Sequence, residues 1–207
     1  MLFSDARILV FAKPPVPGYS KTRLIPALGE YGAAELHKRL VKHTLTTATD
    51  AALCPVELWC ASDINHPFFQ QCQQRFPLSL HLQRGADLGE RMANALESAL
   101  RHCRYAILIG TDCPATTAEN LHTAITALKQ GHDCVLRPAQ DGGYVLIGLS
   151  KPNQFIFQNV NWGSDKVMQT TRESLKRIVW HWHEMDTTWD VDRPEDLKKL
   201  SQLPIPL

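Results

Sequence analysis

The run Tyr105-Ala106-Ile107-Leu108-Ile109-Gly110 constrains this chain most. An almost unbroken apolar segment of strand length cannot leave one face in water, so it belongs in the middle of a sheet covered on both sides. It falls far short of the ~20 apolar residues of a membrane span. A sheet covered on both faces is built from parallel strands joined by crossover helices, and the rest of the chain supplies both. Strands are predicted over Ala6–Ala12, Pro55–Ala61, Leu78–Gln83, Cys134–Arg137, Tyr144–Leu149 and Ile178–His183. Helices are predicted from Glu30 to about Ala52, with Ala34, Leu36, Leu40, Val41 and Leu45 on one face, and over Pro67–Phe76, Gly89–His102, Ala118–Lys129, Asp165–Lys176 and from Pro194 onward. The expectation is an α/β three-layer sandwich around a mostly parallel sheet, one domain over residues 1–207.

At 207 residues and 44% hydrophobic composition the chain can bury a substantial core. Its 22 Lys and Arg nearly balance 21 Asp and Glu, for a net charge of +1. Such a chain has no long-range field for nucleic acid or an acidic membrane, so neither is an expected partner. The start, Met1-Leu2-Phe3-Ser4-Asp5, lacks a charged segment followed by an apolar run, and a cytoplasmic protein is expected. The six cysteines show no metal-ribbon spacing and read as buried thiols.

Against that neutral background one segment is locally basic. Directly after the first strand comes Lys13-Pro14-Pro15-Val16-Pro17-Gly18-Tyr19-Ser20-Lys21-Thr22-Arg23-Leu24. Its prolines fix φ and forbid helix, so Lys13, Lys21 and Arg23 project from a stiff loop at a strand's carboxyl end, where open α/β sheets bind ligands. The loop reads either as a phosphate-holding segment or as a solvated basic turn. With Ser20 where a Walker motif needs glycine, a P-loop ATPase is excluded.

Acidic residues stand at comparable places. Asp112, in Gly110-Thr111-Asp112-Cys113-Pro114, follows the central strand and suits a hard metal such as Mg²⁺ (or Mn²⁺), which takes one or two carboxylates and completes its shell with water and phosphate; a turn or helix-cap aspartate is the plainer reading. Asp141-Gly142-Gly143-Tyr144 either lets a ligand approach the backbone or makes a tight turn. In Asp190-Val191-Asp192-Arg193-Pro194-Glu195-Asp196, Asp192 and Glu195 read as a capping box, with one carboxylate oxygen of Asp192 left for a metal. Gly85-Ala86-Asp87-Leu88-Gly89-Glu90-Arg91 opens a helix whose amides suit ribose, phosphate or sugar, with Asp87 accepting from hydroxyls. The alternation Trp180-His181-Trp182-His183 places both imidazoles on one strand face, as a metal pair or as two satisfied side chains. Phe68 and Phe69 serve as core, as an acceptor-pocket wall or as a homodimer contact.

Taken in order, Phe11 to Gly18, Lys21 to Leu24, Gly85 to Met92, Gly110 to Pro114, Asp141 to Tyr144 and Asp190 to Asp192 resemble the small bacterial glycosyltransferases associated with arsenosugar biosynthesis and radical-SAM gene neighbourhoods. The resemblance spans nearly the whole chain. It implies the GT-A, Rossmann-like fold of nucleotide-diphospho-sugar transferases, shared with guanylyl- and cytidylyltransferases. The chain departs from those relatives at Arg193, where they carry threonine, and at Thr111-Asp112, where a full Asp-x-Asp is expected.

The resulting expectation is metal-assisted transfer of a sugar from a nucleotide-sugar donor to a small-molecule acceptor. Lys13, Gly18, Lys21, Arg23, Asp87, Gly89, Arg91, Gly142 and Gly143 would contact the donor, with Lys21 and Arg23 assisting departure of the diphosphate. Asp112 and Asp192 would hold the metal, and Asp141 would act as base toward the acceptor hydroxyl, the glycines beside it leaving room. The alternative is nucleotidyl transfer from a triphosphate to a phosphorylated acceptor, releasing pyrophosphate. A noncatalytic nucleotide-binding protein would be expected to lack Asp112 and Asp192.

Overall fold

The computed structural model describes residues 1–202. One seven-stranded sheet organises them, with strands in the order β3-β2-β1-β4-β6-β5-β7. The strands are β1 (Ala6–Ala12), β2 (Val56–Cys60), β3 (Leu78–Leu82), β4 (Tyr105–Ile109), β5 (Cys134–Pro138), β6 (Tyr144–Leu149) and β7 (Trp182–Glu184). All neighbours run parallel except β6, which is antiparallel to both β4 and β5. The apolar run 105–109 is the central strand, as its composition requires.

The helices are α1 (Ile25–Asp50), α2 (Pro67–Arg75), α3 (Leu88–Leu100), α4 (Ala118–Lys129), α5 (Val167–Arg177) and α6 (Leu197–Leu200). Strand periodicity sorts them into layers. Ile8 and Val10 of β1 pack with Val41 and Leu45 of α1, Phe68 and Phe69 of α2 and Leu121 of α4. Leu9 and Phe11 point the other way, onto Met92 and Leu96 of α3 and Leu175 of α5. Phe68 and Phe69 are thus core residues and supply no surface for a second copy. A third cluster, Leu24, Leu36, Leu40, Val191 and Leu200, ties the end of the basic loop and the 190s segment to α1.

Three local departures from the expected elements have physical causes. Helix α1 is interrupted at Gly29, whose φ of 69° and ψ of 168° are not helical, so the regular helix begins where Glu30 was expected to start it. Helix α5 runs on to Arg177, and Val179 then takes a left-handed φ of 55°, which shortens the strand expected over Ile178–His183 to Trp182–Glu184. His181 consequently lies outside the strand, where its backbone pairs with Asp133, while the His183 ring meets His132 edge-on. At the carboxyl end, Arg193 is the N-cap of a short 3-10 turn, and Asp196 Oδ2 accepts from the amides of Asp192 and Arg193; the capping box expected from Asp192 and Glu195 is not the one formed.

Five of the six cysteines are buried, Cys103 is half-buried, and none is in a disulfide. Burial pushes the thiols of Cys54 and Cys60 up to about 12, which keeps them protonated and unreactive. No helix among the described residues is long and apolar enough to cross a membrane.

Candidate functional site

A cavity of about 620 Å³ opens at the carboxyl ends of β1 and β4. Because β6 runs the opposite way, its first residues, Tyr144 to Ile147, reach the same edge and join the wall. Lys13, Tyr19, Lys21 and Arg23 come from the basic loop, Thr111 and Asp112 follow β4, Leu88, Arg91 and Met92 come from α3, and Asp190 and Asp192 close the far side. A nucleotide-sized space is therefore lined by cations and carboxylates together.

The loop is held rigidly. Ser20 Oγ donates to the Pro14 carbonyl at 2.9 Å and accepts from the Val16 amide at 3.0 Å. The His37 ring lies with Nε2 3.0 Å from the Lys13 carbonyl, and since a carbonyl only accepts, Nε2 carries the proton. Burial lowers the basicity of His37, against the pull of Asp112 and of that carbonyl, so the ring is neutral near pH 7.

Lys21 departs from the open phosphate cation expected of it. Its backbone takes a left-handed φ of 52°, its side chain is only 4% exposed, and its ammonium lies 2.7 Å from Asp112 Oδ1 and 2.5 Å from the Val191 carbonyl. Asp112 keeps 48% of its side-chain surface open while Oδ1 is covered, so the exposed edge belongs to the other oxygen. Burial alone would raise the Asp112 carboxyl, but the charge and hydrogen bond of Lys21, with the more distant charge of Lys13, outweigh it and hold the group below the usual carboxylate range.

The Val191 amide donates to the Asp112 carbonyl at 2.8 Å, which sets Asp190 and Asp192 on either side of the strand end. Asp192 is engaged by the guanidinium of Arg23, whose own side chain is 60% exposed. Asp190 has no cationic partner among the described residues. Burial, together with the charges of Asp141 and Asp112, pushes its carboxyl up to about 6. Sequence reasoning passed over Asp190 in favour of Asp192, because only the long-range Arg23 contact distinguishes them.

Several expected contacts lie elsewhere. Gly142 does not leave room for an acceptor: a Cβ there would stand 2.1 Å from the Asp165 carbonyl oxygen, and the Gly142 carbonyl accepts from the Met168 amide. Gly143 donates its amide to Asp141 Oδ1 at 2.9 Å, a side-chain turn that fixes the carboxylate. Asp141 is exposed and does not line the cavity, yet its charge acts on both Asp190 and Arg23. The α3 terminus caps itself, Asp87 Oδ1 accepting from the Glu90 amide and Glu90 Oε2 from the Ala86 amide. Asp87 faces a separate cleft with Asn94, Gln154 and Gln158. Gly89 is a packing glycine, with Trp162 Nε1 and the Phe157 carbonyl 2.7 and 2.8 Å from where a Cβ would stand. Gly18, at φ 79°, shapes the loop and is not on the cavity wall. Arg91 does reach the wall, its Nε donating to the Gly85 carbonyl at 3.2 Å.

The chain belongs to a family described as an uncharacterized protein conserved in bacteria (DUF2064), whose profile matches residues 44–164. A search of curated proteins found no match. Among solved structures, a Desulfovibrio desulfuricans G20 protein provisionally described as a nucleotide-diphospho-sugar transferase is 30% identical; the alignment covers 95% of this chain and 86% of that one, with a TM-score of 0.86. More distant likenesses show the shared fold alone. They include 4-diphosphocytidyl-2C-methyl-D-erythritol synthase of Anaerococcus prevotii DSM 20548, at 10% identity over 97% and 99% of the two chains with a TM-score of 0.62. A CMP-2-keto-3-deoxy-manno-octonic acid synthetase complexed with CTP gives 13%, 96% and 98%, and 0.58. The architecture is thus the Rossmann-like fold of nucleotide-diphospho-sugar transferases and cytidylyltransferases.

Proposed function

We propose that this DUF2064 member is a nucleotide-sugar-dependent glycosyltransferase that moves a sugar from a nucleoside-diphosphate donor to a small hydroxyl acceptor. The observation that carries the reading is the cavity itself, whose wall brings Lys13, Arg91 and the exposed Arg23 together with Asp112 and Asp190. The full-length similarity to the Desulfovibrio protein supports it. Lys13, Arg23 and Arg91 would hold the diphosphate, where guanidinium groups offer forked donors to phosphate oxygens. Binding a phosphate would compete with the Arg23 contact to Asp192 and free that carboxylate.

The donor set suits a divalent ion. Among the described residues no cluster of three or more metal-ligating side chains exists, so a metal wholly caged by protein does not fit. Mg²⁺ fits, since it takes one or two carboxylates and fills its shell with water and substrate phosphate. The open oxygen of Asp112 and the unpaired Asp190 would hold it, Asp192 joining once Arg23 turns to phosphate. When bound, Mg²⁺ supplies positive charge against the diphosphate as it leaves. Asp141, exposed beside the acidic segment, would accept the proton of the acceptor hydroxyl.

One observation favours a second reading. With Gly142 filled by Asp165, the turn offers no dedicated acceptor space, and nucleotidyl transfer needs no base because a phosphorylated acceptor is already anionic. Product identity separates the two. Incubation with Mg²⁺ and a panel of UDP-, GDP-, CDP- and dTDP-sugars should release nucleoside diphosphate, slowly by transfer to water and faster with a hydroxyl acceptor. Pyrophosphate from a triphosphate, with no diphosphate from any sugar donor, would establish the second reading instead.

A further inference from the structure

Four carboxylates bear on the cavity: Asp112, Asp190 and Asp192 line its wall, and the charge of Asp141 outside it acts on Asp190. Two of the four have a cation in contact. Arg23 pairs with Asp192 from an exposed position and is free to swing away. Lys21 is different in kind. Its side chain is only 4% exposed, its ammonium is shared between Asp112 Oδ1 and the Val191 carbonyl, and its backbone is already committed to a left-handed conformation at the start of a helical turn. A long, mobile, strongly hydrated side chain held this way cannot follow a substrate phosphate. What it does instead is place one fixed positive charge against the strand-end aspartate.

We propose that Lys21 is an internal counter-ion that permanently occupies one oxygen of Asp112, the position a second metal ion would require, so that the cavity takes a single divalent cation on the other oxygen and Asp190. Lys21 is thereby a positioning and specificity-setting residue that acts through Asp112, and it fuses the carboxyl end of β4 to the 190s segment so that both metal-binding carboxylates stay in place before any ligand arrives.

The inference rests on the metal-assisted reading above, but its test does not need turnover. Mn²⁺ is titrated into the full chain without nucleotide, free ion being followed by its electron paramagnetic resonance signal, and native protein is compared with Lys21→Met, which keeps the side chain's length and removes its charge. Native protein is expected to bind one Mn²⁺ per chain. Lys21→Met is expected to bind Mn²⁺ roughly tenfold more tightly, because a competing positive charge has left the ligand. A lysine that gripped phosphate would leave Mn²⁺ affinity unchanged, and one that merely held the fold would lower it when removed; either result in a folded variant overturns the proposal. If Lys21→Met does not fold, the native count still decides, since two ions or none per chain contradicts a single-ion site. A native protein that binds one Mn²⁺ yet releases neither nucleoside diphosphate nor pyrophosphate would refute the transferase reading and leave this inference standing.

Discussion

At Gly110, after β4, nothing lies within 4 Å of where a Cβ would stand, whereas at Gly142, before β6, the same added atom would meet the Asp165 carbonyl oxygen at 2.1 Å. These two turns sit on adjacent strands, Gly110 two residues before Asp112 and Gly142 directly after Asp141, and in sequence each belongs to a candidate site segment. Only one is open. Gly110 belongs to the cavity wall with Thr111 and Asp112, while Gly142 is the seat on which the approach to α5 rests, its carbonyl capping the Met168 amide. The difference teaches that glycine beside a carboxylate has two opposite uses. One clears space for a substrate, and the other clears space for the protein's own backbone.

The comparison breaks most easily at the filled turn. Gly142→Ala combines a φ of 89° with backbone overlap that has no side chain to rotate away, and it should destabilise the protein by about 3 kcal/mol or more, read from chemical denaturation. A change within about 0.5 kcal/mol would mean that the turn is as open as Gly110 and that Asp141 has acceptor space after all.

Asp190 tests the electrostatics of the open side. Its folded-state carboxyl titrates near 6, above its unfolded value, so the folded chain holds this proton more tightly and stability falls as pH rises from about 4 through 6. Above that window the charged group is a standing penalty. Asp190→Asn should therefore be more stable than the native protein at pH 8 by on the order of 1 kcal/mol, after allowing for solvent screening, or about 2–4 °C in Tm, and should match it near pH 4. An equal difference at both pH values would show that Asp190 is not crowded by Asp141 and Asp112.

The smallest stability effect is expected at the open turn. Gly110→Ala should change stability by no more than about 0.5 kcal/mol, because its φ suits an L-residue and nothing is displaced, while weakening nucleotide binding through the methyl group placed at the cavity wall. Loss of stability without loss of binding would reverse the assignment of the two turns.

Much of the fold was legible because its strongest signals are local. The apolar run 105–109 demanded a central strand, and β1, β6 and α4 have the bounds predicted for them, Ala6–Ala12, Tyr144–Leu149 and Ala118–Lys129. What periodicity could not show was β6 running antiparallel, since the pattern of a buried strand is the same in either direction. The left-handed Val179 was likewise invisible, because β-branched residues disfavour that conformation and only tertiary packing imposes it. In the candidate site, residue types were readable and pairings were not. Lys21 reaches Asp112 and Val191, Arg23 reaches Asp192, and Gly142 meets Asp165, all across distances in sequence that no motif encodes.

The central claim is that the strand-end aspartate holds a metal ion through which the cavity binds nucleotide phosphates. Calorimetric titration of UDP, GDP, CDP and dTDP into native protein and Asp112→Asn, each with Mg²⁺ and with EDTA, tests it directly. The account predicts that at least one nucleotide binds the native protein more tightly with Mg²⁺ by about 2–3 kcal/mol, and that Asp112→Asn abolishes this metal-dependent increment while remaining folded. Equal affinity with and without Mg²⁺ in the native protein, or an increment that survives Asp112→Asn, would contradict it.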